Sequence, residues 1–126
     1  MSPDILLKIK QSVTQNSGMN KKRIDLFLSL ISHYKKDDII YPGTLIRKLN
    51  INMKKAYELL ELLEQQDILE RNFEIYCSGC NKYTGAVYRT IKDIPDNLTC
   101  EGDCYEKIIN PLEDTIIVYR IVTENE

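Results

Sequence analysis

Pro42-Gly-Thr-Leu-Ile-Arg-Lys-Leu-Asn-Ile-Asn-Met-Lys-Lys-Ala-Tyr-Glu-Leu-Leu-Glu-Leu-Leu-Glu-Gln-Gln66 decides how this chain folds. Proline suits the first turn of a helix and disfavours helix at the residue before it, so a helix starts at Pro42 and not at Tyr41. It runs to Leu49. Asn50-Ile51-Asn52 breaks the pattern, and Asn52 is the natural N-cap of a second helix from Met53 to Gln66. Leu45, Ile46, Leu49, Ile51, Ala56, Leu59, Leu60 and Leu63 form one apolar stripe across both segments, which predicts a compact two-helix unit closed around a three-residue turn.

The same reading extends outward. Downstream, Ile68 to Tyr76 alternates roughly as a strand does. Upstream, Lys35-Lys36-Asp37-Asp38 reads as a polar turn before the short extended run Ile39-Ile40-Tyr41. Lys21 to Tyr34 carries Ile24, Phe27, Leu28 and Ile31 at helical spacing behind Asn20, with Lys21, Lys22 and Arg23 in the opening turn. Cations there oppose the helix dipole, which fits either a binding surface or a solubilising face. A first helix spans Ile5 to Val13, capped by Ser2 or Asp4, and Gln15-Asn16-Ser17-Gly18 ends it.

From Asn20 to Tyr76 the chain resembles the winged helix-turn-helix superfamily. Thr44 to Asn52 correspond to the first helix and turn, Met53 to Leu63 to the recognition helix, and Gln66 to Arg71 to the entry into the first wing strand. The resemblance implies duplex-DNA contacts from Asn52, Lys54, Lys55 and Tyr57, with Arg47 and Lys48 near phosphates. Glu58 and Glu61 depart from a DNA-reading pattern, because they bring negative charge to the outer side of that helix, where Leu62 is also expected to be exposed. Tyr57, Glu58, Glu61 and Leu62 therefore form an alternative face for a protein partner.

Cys77-Ser-Gly-Cys80 and, nineteen residues on, Cys100-Glu-Gly-Asp-Cys104 have the spacing of a four-thiolate zinc site. Two knuckles converge on one tetrahedral metal at Zn–S distances of about 2.3 Å, and four sulfurs leave no vacancy for water or substrate, so the one zinc expected is structural. Disulfides, free thiols or an iron–sulfur centre are the alternatives. The N-terminus lacks the apolar core of a signal peptide, and a reducing cytoplasm favours metal over disulfides. Gly102 gives room for the longer second turn.

Phe73 to Val122 thus resembles a zinc ribbon, with Tyr83 to Thr90 as the strand leaving Cys80, a turn over Asp93 to Asn97, and Thr115 to Val122 as a closing strand beside Phe73 to Tyr76 or the central strand. The expected fold class is α+β: a winged-helix domain over residues 1–72, then a small antiparallel zinc-ribbon sheet over 73–126. Tyr76, Tyr83, Tyr88 and Tyr119 read as cover for the small core, since stacking platforms want basic neighbours and Glu101, Asp103, Glu106, Glu113 and Asp114 have the wrong sign.

The net charge of −2 conceals a polarity: residues 1–55 hold eleven Lys or Arg against four Asp, and residues 56–126 hold six against fifteen Asp or Glu. The basic half suits phosphate or an acidic protein, and the two halves also attract one another. No Gly-rich phosphate loop, G-x-S-x-G turn or H-E-x-x-H helix occurs, and His33, the single histidine, reads as a helix-end residue, so neither an enzyme nor a small-molecule substrate is expected. No segment has the roughly 18 apolar residues of a membrane span.

The pairing of winged helix and ribbon is similar in outline to archaeal general transcription factor E, which works largely through protein contacts with polymerase. That outline does not by itself predict sequence-specific DNA binding. The helix-turn-helix pattern and the basic N-terminal half point to a cytoplasmic, transcription-associated protein that binds duplex DNA; the alternative is an adaptor or regulatory subunit docked on a larger prokaryotic protein assembly. Membership of the winged-helix superfamily would add homodimerisation as an option, because a helix flanking a winged helix often serves for that.

Overall fold

The computed structural model describes residues 1–77, 79, 81–96, 98–99, 107–108 and 114–123. Among these, the fold is α+β, with four α-helices and a four-stranded antiparallel sheet. The chain divides into two compact units, Met1–Glu70 with Tyr119–Glu126, and Arg71–Val118. The end of the chain thus belongs to the unit that holds the helices.

In the helical unit, α1 (Pro3–Asn16) is capped by Ser2, whose Oγ accepts from the Ile5 N–H at 3.3 Å, and it buries Ile9 and Val13. It is longer than the expected Ile5–Val13 by two residues at its start, where Pro3 is well suited to a first turn, and by three at its end. Helix α2 (Lys21–Ile31) starts at Asn20, whose Oδ1 accepts from the Arg23 N–H at 2.9 Å, and it buries Ile24, Phe27 and Ile31. It stops short of the expected Tyr34. The His33 and Tyr34 N–H groups bond to Leu30 and Ile31, three residues back, so the end tightens into a turn.

Strand β1 (Ile39–Ile40) leads through extended Tyr41 into α3 (Pro42–Leu49). Asn50 takes the left-handed conformation, φ 53° and ψ 52°, that ends a helix and that Asn tolerates better than most residues. Helix α4 (Met53–Gln65) is capped by Asn52, whose Oδ1 accepts from the Lys55 N–H at 2.8 Å. Ala56, Leu59, Leu60 and Leu63 are buried on α4, and Leu45 and Leu49 on α3, while Ile46 and Ile51 are only half-buried. The helix packs against α1 and α3, and α2 packs against the same two.

After a left-handed Asp67, β2 (Leu69–Cys77) begins. It is followed by β3 (Lys82–Tyr88), a 3-10 turn over Ile91–Asp93, the short strands β4 (Leu98–Thr99) and β5 (Lys107–Ile108), and β6 (Thr115–Ile121). The sheet order is β1–β6–β2–β3. The closing strand thus lies beside β2 as expected, and it also pairs antiparallel with β1, Ile39 opposite Arg120 and Ile40 opposite Tyr119. Its run Thr-Ile-Ile-Val-Tyr-Arg-Ile is β-branched or aromatic at all but one position, which suits an inner strand.

Three ties fasten β6 within the helical unit. The Asp37 N–H donates to the Ile121 carbonyl at 2.8 Å, and the Ile121 N–H to the Asp38 carbonyl at 2.9 Å. Arg120 reaches Asp37 at 2.6 Å and Glu70 at 2.9 Å, and these carboxylates, the Glu70 hydrogen bond first, hold its guanidinium above its ordinary pKa.

In the second unit, β2 and β3 pair from Phe73–Tyr88 to Cys77–Lys82, with an irregularity between Glu74 and Tyr76. Gly85 adopts φ +80° within β3 opposite this bulge, a conformation that L side chains rarely accept. Ile75, Cys77 and Ile94 form the buried centre, flanked by Phe73, Ala86, Tyr88 and Leu98. Glu74 is buried, and one carboxylate oxygen accepts from the Gly85 N–H at 3.3 Å.

Candidate nucleic-acid interface and cysteine site

The last turn of α3, the break after it and the first turn of α4 present Arg47, Lys48, Asn52, Met53 and Lys54 to solvent. All but Met53 belong to the set expected to meet DNA. Asn50 ends α3 and Asn52 starts α4, and these residues fall outside the apolar stripe that the two helices bury, so they face water. Asn52 already uses its Oδ1 on the Lys55 N–H.

Lys55 has a different role from its neighbour. Its ammonium donates to the Ser17 carbonyl at 2.7 Å and lies 3.1 Å from the Glu58 carboxylate. It binds α4 to the end of α1, whereas Lys54 is exposed. Tyr57 and Glu58 are half-buried and Glu61 is exposed. Leu62, expected to be exposed, is also half-buried. It lines a shallow cleft of about 200 Å³ with Asn16, Glu58, Glu61 and Gln65, so the end of α1 shields one side of it.

A second cleft, of about 320 Å³, lies where the first turn of α2 meets the end of α3. Lys22, Arg23 and Lys48 line it together with Asn20, Asn50, Leu26 and Leu49. The Arg23 guanidinium is 3.4 Å from the Asn50 carbonyl, and α2 packs against α3. Sequence reasoning noted the cations of α2 but not their convergence with Lys48. The two asparagines, one capping a helix and one ending another, were the only signal of it.

Of the four cysteines, Cys77 is described; Cys80, Cys100 and Cys104 lie outside the described residues, as do Glu101, Gly102, Asp103, Glu106 and Glu113. Cys77 is the last residue of β2 and is 3% exposed. Its pairing with Lys82 closes the β2–β3 ladder, and Asn81, just before Lys82, takes φ 56°. Leu98 pairs with Ile108 and Thr99 with Lys107 in the short β4–β5 ladder. Among the described residues no cluster of three or more metal-binding side chains occurs.

Of the four tyrosines expected to cover the core, Tyr119 is fully buried and Tyr76 and Tyr88 are half-buried. Tyr83 is 51% exposed and meets Tyr76 edge to face, ring centres 5.4 Å apart. His33 is exposed just beyond α2. Among the described residues no helix is long and apolar enough to cross a membrane.

Comparison with protein-family models, with curated proteins and with solved structures finds no match to this chain.

Proposed function

We propose that this is a duplex-DNA-binding, transcription-associated protein built as a winged helix whose wing carries a structural zinc ribbon. The carrying observation is the exposed basic end formed by Arg47, Lys48 and Lys54, at the point where a recognition helix enters the major groove. The topology supports the same reading. β2 and β6 leave and re-enter the helical unit around one excursion, residues 71–118, as the two strands of a wing would.

Zinc suits the spacing of the four cysteines because Cys77 sits where the β2–β3 ladder closes and Asn81 supplies the left-handed residue that a tight knuckle needs. Cys77, Cys80, Cys100 and Cys104 would hold one ion. Bound there, it would supply a cross-link and no catalysis, since four thiolates close the coordination sphere. A non-enzymatic, cytoplasmic protein fits this reading, because the cytoplasm keeps such thiols reduced.

A second reading has an observation of its own. The cleft lined by Glu58, Glu61 and Leu62 is partly apolar and acidic, which suits a basic segment of a protein partner better than phosphate.

Fluorescence anisotropy of the zinc-loaded protein with mixed-sequence duplex separates the two readings. Saturable binding that weakens with salt and is lost in Lys54→Glu is the expected result. Absence of binding at both low and near-physiological salt would leave the protein-adaptor reading in its place.

A further inference from the structure

The geometry points to the cleft between the first turn of α2 and the end of α3 as a seat for one sugar-phosphate unit of a nucleic-acid backbone. It rests on the DNA-binding reading and extends it to Lys22, Arg23 and Leu26, which share this space with Lys48. Lys22 and Arg23 come from one helix and Lys48 from another, and no carboxylate is among the described residues lining the space. Neither the Lys22 nor the Lys48 ammonium has an ion-pair partner among the described residues. The Arg23 guanidinium reaches the Asn50 carbonyl at 3.4 Å, which places its charge at the rim of the cleft.

Size and lining indicate more than a bare phosphate. A volume of about 320 Å³ is at the lower end of small-ligand sites, about 300–1,000 Å³. Leu26, 46% exposed, forms an apolar wall suited to the C–H face of a deoxyribose. The charge pattern agrees. Three consecutive cations and no acid at the start of α2 oppose its dipole, and a bound phosphate reverses that local penalty.

The test compares the zinc-loaded wild type, Lys22→Ala and Leu26→Ala for duplex binding over a range of salt concentrations. One seated phosphate predicts that the slope of log K against log salt becomes shallower by about 0.9 in Lys22→Ala. Leu26→Ala should weaken binding several-fold at unchanged slope. A wild type that binds, with both variants matching it in slope and affinity, overturns the proposal while leaving the DNA-binding reading intact. A parallel NMR titration of labelled wild type uses thymidine 3′,5′-bisphosphate and inorganic phosphate. Saturable shifts at the Lys22, Arg23 and Asn50 amides, stronger for the bisphosphate, support the seat even if no duplex binds. Shifts of equal strength with inorganic phosphate assign a simple anion site instead, and no shift with either probe overturns the proposal.

Discussion

Lys55 and Ser17, thirty-eight residues apart, are joined by a 2.7 Å hydrogen bond from ammonium to carbonyl. The same ammonium is paired with Glu58, one turn along α4. Two adjacent lysines in one helix thus do different work. Lys54→Glu should abolish duplex binding with no change in the urea midpoint. Lys55→Met should cost about 1 kcal/mol of stability, the scale of one net hydrogen bond, and leave binding within a few-fold of wild type. Equal losses of affinity in the two variants, at equal stability, would show that Lys55 leaves Ser17 to meet DNA.

Chelation gives the second prediction. If the four cysteines hold zinc, its removal unfolds Arg71–Val118, whose core is centred on Ile75, Cys77 and Ile94. The helical circular-dichroism signal at 222 nm should largely persist, because the helices bury their own core. The near-ultraviolet tyrosine signal should fall. A protein unchanged by a strong chelator under reducing conditions would remove the metal from this account.

Tyr34 provides a pH dependence. Burial, with a smaller contribution from the Asp38 carboxylate, raises its hydroxyl above the ordinary 10.0. As pH climbs past that value the unfolded chain releases the proton first, so the stability tied to this group is complete below about pH 10 and is lost as pH rises through the folded value. Between pH 9 and 11 the urea midpoint of Tyr34→Phe should fall less than that of the wild type. Parallel curves would assign the alkaline loss to other groups.

Asn50 tests the turn. At φ 53° a glycine substitution relieves backbone strain, and Asn50→Gly should match or slightly exceed wild-type stability. Asn50→Val should cost more than about 1 kcal/mol, because a β-branched residue resists left-handed backbone. The carbonyl that meets Arg23 is retained in both, so DNA binding by Asn50→Gly should be unaltered. Thermal unfolding of the two variants is the measurement.

The sequence was most legible where one residue type has one structural use. Pro42, Asn52 and the leucines of α4 gave that helix pair to within a residue, because caps and periodicity act locally. The end of α2 was less legible, since turn-type hydrogen bonds replaced helical ones at a polar Ser32-His33 with no strong breaker. The position of β6 between β1 and β2 was legible only in part. β1 is two residues long, too short to announce a partner eighty residues away, and the tie that fixes it, Arg120 to Asp37 and Glu70, joins three charges that look in sequence like ordinary surface. At the candidate interface exposure followed helix geometry, whereas the engagement of Lys55 depended on where α1 ends. The cleft of α2 and α3 likewise needs three dimensions to be seen.

The double crossing of the chain, once within β2 and once within β6, has a thermodynamic consequence. Residues 71–118 are a closed circuit anchored at both ends, not a tail. Were this circuit to lose its own structure, it would become a loop of about 48 residues that the β2–β6 pairing must keep shut, at an entropic cost of about 3 kcal/mol from the logarithmic length term alone. That tension would fall on the helices, so the melting temperature of the helical unit should report the condition of the cysteine-bearing circuit.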